Sequence, residues 1–189
     1  MKTVWKPGTL LAPVPPAMIS CGSMEKPNII TIGWTGITCS DPAQTYISVR
    51  KERYSHKLIS ETQNFVINLP TVSLAKACDF CGVRSGRDTD KFSVLGLTPV
   101  ECENTGCPAI AESPLSLECK VDRIIPLGSH DMFMAHIVSV LVDDSIIEQT
   151  GRLALEKADL LAYAHGSYFS LGKSVGSFGF SVRKKKKHR

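Results

Sequence analysis

The sequence has no long apolar run. Its most hydrophobic stretch, MAHIVSVLV at 134–142, is interrupted by His136 and Ser139 and falls far short of the ~20 residues a membrane-crossing helix needs. The opening MKTVWKPGTLLAPVPPAMIS has no unbroken apolar core of the signal-peptide kind. Its four prolines between positions 7 and 16 fit an extended entry segment instead. A cytoplasmic location, with no membrane partner, is the expectation. No repeat of solenoid period recurs, and no internal low-complexity linker interrupts the chain. Residues 1–180 therefore read as one domain. Nucleotide fingerprints are missing as well. Gly172, Gly176 and Gly179 have the wrong spacing for G-x-G-x-x-G and follow no clear strand. With no Walker, H-E-x-x-H or G-x-S-x-G pattern, the Rossmann, NTPase, zincin and α/β-hydrolase readings lose their footing.

What is present is an ordinary globular composition. At 189 residues and 43% hydrophobic, the chain can bury one good core. The net charge of +4 comes from the end of the chain. RKKKKHR holds six of the 22 Lys and Arg, which leaves 16 against 18 acidic residues, about −2, for the body. The body is not a basic nucleic-acid surface, so no specific nucleic-acid partner is expected. Residues 181–189 read as a solvated, disordered basic tail.

Seven cysteines, an odd number, suit free thiols, metal ligands or redox groups better than structural disulfides in an unsecreted chain. Cys78, Cys81, Cys102 and Cys107 form C-x2-C-x20-C-x4-C, a spacing that could close on one zinc ion. Two other readings stand beside it: small buried hydrophobes at a helix end, or a redox dithiol.

The elements follow from periodicity. NIITIGWTGIT (28–38), TYISVR (45–50) and NFVINLP (64–70) read as strands. YSHKLISET reads as a short helix with Ser55 as N-cap, and TVSLAKACDFCG as a helix stopped by Gly82. SLECKVDRIIPL (116–127) and DMFMAHIVSVLVDD (131–144) form a hairpin across GSH. Many strands with few, short helices predict a mainly β fold, a closed antiparallel barrel decorated by helices.

Three stretches carry candidate chemistry. In RSGRDTDKF, Gly86 lets backbone approach a ligand, while Ser85, Arg84, Arg87 and Lys91 supply donors of the kind a phosphate needs. In SVRKERYSHK, Arg50 ends a strand and Ser55–His56 open a helix whose N-terminal N–H groups suit an anion. In NIITIGWTG, the strand running into Trp34–Thr35–Gly36 offers backbone donors and a flat aromatic to a planar heterocycle.

These three stretches, in this order, resemble the flavin reductase-like, FMN-binding split-barrel family, and within it the flavoredoxin branch. FVINLP, LECKV, GSH around His130 and YFSLGKSVGSFG extend the resemblance over about residues 8 to 180. It implies a six-stranded Greek-key split barrel that forms a homodimer and binds FMN. Carried over by position, Asn28, Thr31, Trp34, Thr35 and Gly36 belong to the isoalloxazine side. Arg50, Ser55 and His56 belong to the ribityl-phosphate side, with Ser85, Gly86 and Lys91 on the second phosphate loop and Phe169 approaching the ring. No catalytic acid–base residue is assigned. The implied function is electron transfer from NAD(P)H or a redox protein through FMN to an acceptor, as an oxidoreductase. The alternatives are a zinc-stabilised binding protein on the four cysteines and a non-catalytic FMN carrier.

Overall fold

The computed structural model describes residues 1–183; of the expected tail, residues 184–189 lie outside them. The strands are β1 (Ala17–Gly22), β2 (Pro27–Ile32), β3 (Thr35–Ser40), β4 (Ala43–Arg50), β5 (Asn64–Asn68), β6 (Pro99–Glu101), β7 (Pro108–Ile110), β8 (Leu115–Pro126), β9 (His130–Val142), β10 (Leu161–Ala164) and β11 (Ser167–Ser170). The helices are α1 (Tyr54–Thr62), α2 (Ala75–Val83) and α3 (Lys91–Leu95).

Seven strands form one antiparallel sheet in the order β2-β1-β5-β8-β9-β4-β3. If it lay flat, six spacings of about 4.8 Å would hold its edge strands about 29 Å apart. Yet only Gly33 and Trp34 separate β2 from β3, and so short a link spans about 11 Å at most. The sheet must therefore roll up. The seam is marked by a hydrogen bond from the Ser48 N–H to the Trp34 carbonyl (2.9 Å). Counting β2 and β3 as one strand bent at Gly33–Trp34 recovers the six-stranded split barrel implied by the resemblance.

Strand alternation fills both sides of the wall. Ala17, Ile19, Cys21, Ile30, Ile32, Ile47, Val49, Phe65, Ile67, Phe133 and Ala135 form the interior, joined by Ile59 of α1. The opposite faces of β1 and β2 bury Met18 and Ile29 against Leu74, Cys78 and Cys81 of the α2 region and Phe92 of α3. Strand β2 is thus covered on both faces, which gives it the rigidity a binding edge needs.

Local expectations need two corrections. Ser55 does not cap α1: Arg53 occupies that position with no side-chain bond, and Ser55 is buried in the first turn. Gly82 does not stop α2, which runs to Val83 and leaves through an extended Arg84. Beyond a 3₁₀ turn at Leu155–Lys157, β10 and β11 form a hairpin, whose turn places both His165 (φ 51°) and Gly166 (φ 90°) in the left-handed region. That pair of conformations matches the twist of the two strands.

Candidate functional site

The β4–α1 turn, the loop after α2 and strand β2 converge on a cleft of about 310 Å³ lined by Ile30, Glu52, Arg53, Tyr54, Ser55, Arg84, Ser85, Gly86 and Lys91. Lys91 is its deepest feature. The side chain is 3% exposed, and its ammonium donates to the carbonyls of Ile29 (2.6 Å) and Cys81 (3.0 Å). It has no carboxylate within ion-pair distance among the described residues. Burial pulls its pKa below the usual lysine value. A buried ammonium held only by two carbonyls has one donor to spare and a charge uncompensated. An anion entering the cleft supplies what it lacks.

Ser55 is prepared in the same way. The Asn28 side-chain amide donates to its hydroxyl oxygen (2.7 Å), so the Ser55 proton is left to point elsewhere. The first-turn N–H groups of α1 add donors at the same spot. Asn28 is 4% exposed, and its carbonyl oxygen has no hydrogen-bond partner. A side chain at Gly86 would place its Cβ 1.8 Å from that oxygen, so the loop approaches this closely only because position 86 is glycine. The Ser85 hydroxyl accepts from the Arg87 N–H (3.2 Å), and the Arg87 guanidinium reaches the Glu52 carbonyl (3.5 Å), tying the loop to the β4–α1 turn.

The cleft continues along β2. A smaller chamber of about 140 Å³ shares Ile30 and Arg53 with it and adds Thr31, Gly33, Trp34, Ser48, Arg50 and His130. Across Thr31, Gly33 and Trp34 lies a third space of about 350 Å³, walled by Pro16, Asp79, Gly82, Val83, Tyr163 and Tyr168. Trp34, 38% exposed, borders both. The result is one groove, cationic at the Lys91 end and aromatic at the Trp34 end. These dimensions and this polarity fit a phosphate ester carrying a planar ring system.

Of the residues singled out in the sequence, Asn28, Thr31, Trp34, Arg50, Ser55, Ser85, Gly86 and Lys91 come together along this groove. Thr31 packs beneath it, its hydroxyl bonded to the Cys78 carbonyl. Thr35 and Gly36 stand just beyond the lining: the Thr35 hydroxyl donates to the Tyr46 carbonyl (2.6 Å), and the Gly36 carbonyl accepts from Thr45 (2.9 Å). His56 turns away, with Nε2 2.8 Å from an Asp131 carboxylate oxygen. Phe169 is half exposed on β11, and its neighbour Tyr168 faces the groove. Arg53, Tyr54, Tyr163 and Tyr168 line the walls without having been marked as sites. For Tyr168 the only available signal was period-two alternation with Phe169, which leaves open which face is which.

The four cysteines do not converge. Cys78 and Cys81 pack with Met18, Ile29 and Phe92, whereas Cys102 and Cys107 pack with Val66 and Ala109. Among the described residues no group of three or more His, Cys, Asp or Glu is placed to hold a metal ion. No helix among them is long and apolar enough to cross a membrane.

Comparison with known proteins agrees with this geometry. A family model described as "Flavin reductase like domain" matches residues 10–172. Flavoredoxin of Desulfovibrio vulgaris (Miyazaki F) superposes with a TM-score of 0.90 at 31% identity, over 97% of this chain and 100% of that one. Flavoredoxin from Methanosarcina acetivorans has the same fold (TM-score 0.85, 23% identity, 97% of this chain and 100% of that one). An uncharacterised protein of Archaeoglobus fulgidus is 34% identical over 122 residues, covering 65% of this chain and 69% of the other.

Proposed function

Because the chain belongs to the flavin reductase-like family, with its flavin-linked redox chemistry, we propose that it binds FMN in the β2 groove and transfers electrons through it. The observation that carries the reading is buried Lys91, an ammonium with no carboxylate within ion-pair distance among the described residues, lining a cleft that also offers Ser55, Ser85 and the start of α1. That set suits a terminal phosphate monoester. Bound FMN supplies the redox step, taking electrons from NAD(P)H or a protein donor and passing them to an acceptor.

The chain's own groups bind, orient and tune. Lys91 and Ser55 hold the phosphate; Arg53 and Arg84 add positive charge at its mouth. Gly86 admits close backbone approach, and Asn28 fixes the Ser55 hydroxyl. The Trp34 indole gives a face for the ring. Among the described residues strand β3 pairs with β4 alone; Trp34 faces β4 through the Ser48 bond, so by alternation the Thr35 N–H points outward and remains available to a ring acceptor, favouring negative charge there.

The protein acts as a homodimer in this reading. Trp5, Leu10 and Leu11 before β1, and Leu171, Val175, Phe178 and Phe180 after β11, are exposed apolar side chains on two arms with little to pack against in one chain. Sedimentation at the mass of two chains checks this. The function is tested by titrating the protein with FMN, FAD and riboflavin, followed by steady-state NAD(P)H oxidation. FMN is expected to bind at least tenfold more tightly than riboflavin; equal affinity for the two would overturn the phosphate assignment. Tight FMN binding without NAD(P)H turnover would point to a protein donor or a carrier.

A further inference from the structure

His56 lies next to Ser55 in α1, yet it lines none of the three clefts. Its imidazole reaches across to β9 instead. Nε2 sits 2.8 Å from Asp131 Oδ2, and the ring stacks edge-on against Phe133 with centroids 5.2 Å apart. Asp131 is buried, 8% exposed, and its other oxygen has no hydrogen-bond partner. The nearest cation to that oxygen is the Lys51 ammonium at 3.4 Å. One carboxylate thus holds two points of the chain: Lys51 at the end of β4 and His56 in the first turn of α1. Between and beside those two points lie Arg50, Glu52, Arg53, Tyr54 and Ser55, which supply the cationic wall and the hydroxyl of the groove.

We propose that Asp131, acting through His56 and Lys51, is a positioning residue that clamps the β4–α1 turn in its phosphate-binding shape. Asp131 is well placed for this because β9 fixes it: it is paired opposite Val49, and its neighbour His130 pairs with Arg50 and lines the Trp34 chamber. The turn itself has few other ties. Its backbone bonds are Arg53 N–H to the Arg50 carbonyl and His56 N–H to the Arg53 carbonyl (3.0 Å each), both internal to the turn. α1 also lacks a side-chain N-cap, so the fixed point that a cap gives most helix starts comes here from Asp131. Groups that orient metal ligands without touching the metal typically govern affinity by about 10–100-fold, and a charged binding residue held by such a supporting contact depends on it in the same way.

The clamp acts chiefly on the phosphate end of the groove; at the ring end it reaches only the Arg50, Arg53 and His130 side of the Trp34 chamber. Thr31, Gly33 and Trp34 at the ring end belong to β2 and its link to β3, which Asp131 does not touch. Loosening the clamp must weaken recognition of the phosphate far more than recognition of the ring. A general loss of stability would weaken both.

The inference rests on the FMN reading above, and riboflavin, which is FMN without the phosphate, separates the two. Full-length wild type, Asp131→Asn, His56→Ala and His56→Gln are titrated with FMN and with riboflavin, and thermal unfolding of each is recorded without flavin. Asp131→Asn and His56→Ala are expected to raise the FMN dissociation constant about 10–100-fold with a far smaller change for riboflavin. His56→Gln, whose amide can still donate to Asp131, recovers most of the FMN affinity. Should Asp131→Asn not fold, the two His56 variants carry the same comparison. Wild-type preference for FMN that survives in Asp131→Asn and His56→Ala overturns the clamp alone, as does a parallel loss of both flavins. Absence of any FMN preference in wild type overturns the phosphate reading, and the clamp with it.

Discussion

Lys91 is the residue where the conflict between stability and binding is sharpest. Keeping an unpaired ammonium at 3% exposure costs several kcal/mol of lost hydration, which two carbonyl bonds offset only in part. Lys91→Met removes the charge at similar length. The chain without flavin is expected to gain about 1–2 kcal/mol of unfolding free energy, since relief of the buried charge outweighs two carbonyls losing a donor. FMN affinity should fall about 10–100-fold, the worth of one charge-assisted bond. Urea unfolding and FMN titration of the same preparation check both signs. A variant that loses stability would mean that Lys91 is a structural tie rather than a ligand group. Residue type and neighbourhood pointed to Lys91 from RSGRDTDKF alone. Its depth was not legible, because a lysine in a charged loop reads as solvated until the Ile29 and Cys81 carbonyls are seen above it.

At the scale of elements, the loop between α2 and α3 is shaped by one absent side chain. An alanine Cβ at position 86 would fall 1.8 Å from the Asn28 Oδ1 atom and 2.8 Å from its Cγ. Gly86→Ala must push Asn28 aside and break its 2.7 Å bond to Ser55. The expected cost is about 1–3 kcal/mol of stability and about tenfold in FMN affinity. In Gly86→Ala with Asn28→Ala, the collision is gone, so the pair should be less destabilised than the sum of the single changes. Chemical denaturation of the four-member cycle measures that coupling. The existence of α1, α2 and the β8–β9 hairpin was readable from period and turn residues. Their ends were not. Ser55 is a good cap by type, but Asn28 and the barrel end bury it inside the first turn. Gly82 is a good stop by type, but the helix runs one residue further, to an exposed Val83.

Across the whole molecule, six of the seven cysteines, all but Cys39, behave as core. Burial pushes Cys21, Cys81 and Cys102 up to about 11, and Cys78 and Cys107 up to about 12, with Cys119 shifted the same way, from an unfolded value of 9.0. Raised folded values stabilise fully below pH 9 and lose that contribution as pH climbs through the folded range, because the unfolded chain gives up its thiol protons first. Lys91, with its lowered value, works in the opposite direction, but it is one group against six. The urea midpoint is therefore expected to hold to about pH 9 and to fall steeply between pH 9 and 12. Replacing Cys107 and Cys119 by alanine should flatten that fall, whatever it does to stability at neutral pH. A midpoint that rises through this range would refute the assignment.

By itself the sequence determined the strands, the short helices, the order of three anion- and ring-binding stretches, and the family they resemble. Each is a matter of local period, turn chemistry or residue type, which a chain carries wherever it folds. Tertiary structure alone decided which side chains meet. Closure across Gly33–Trp34 makes six strands out of seven and sets Trp34 at the end of a groove. Packing divides C-x2-C from C-x4-C into separate clusters. Contact across the barrel end gives His56 to Asp131 rather than to the cleft. These outcomes depend on contacts between residues 14 positions apart at Trp34–Ser48 and 75 apart at His56–Asp131, which the pattern of a single strand or helix does not encode.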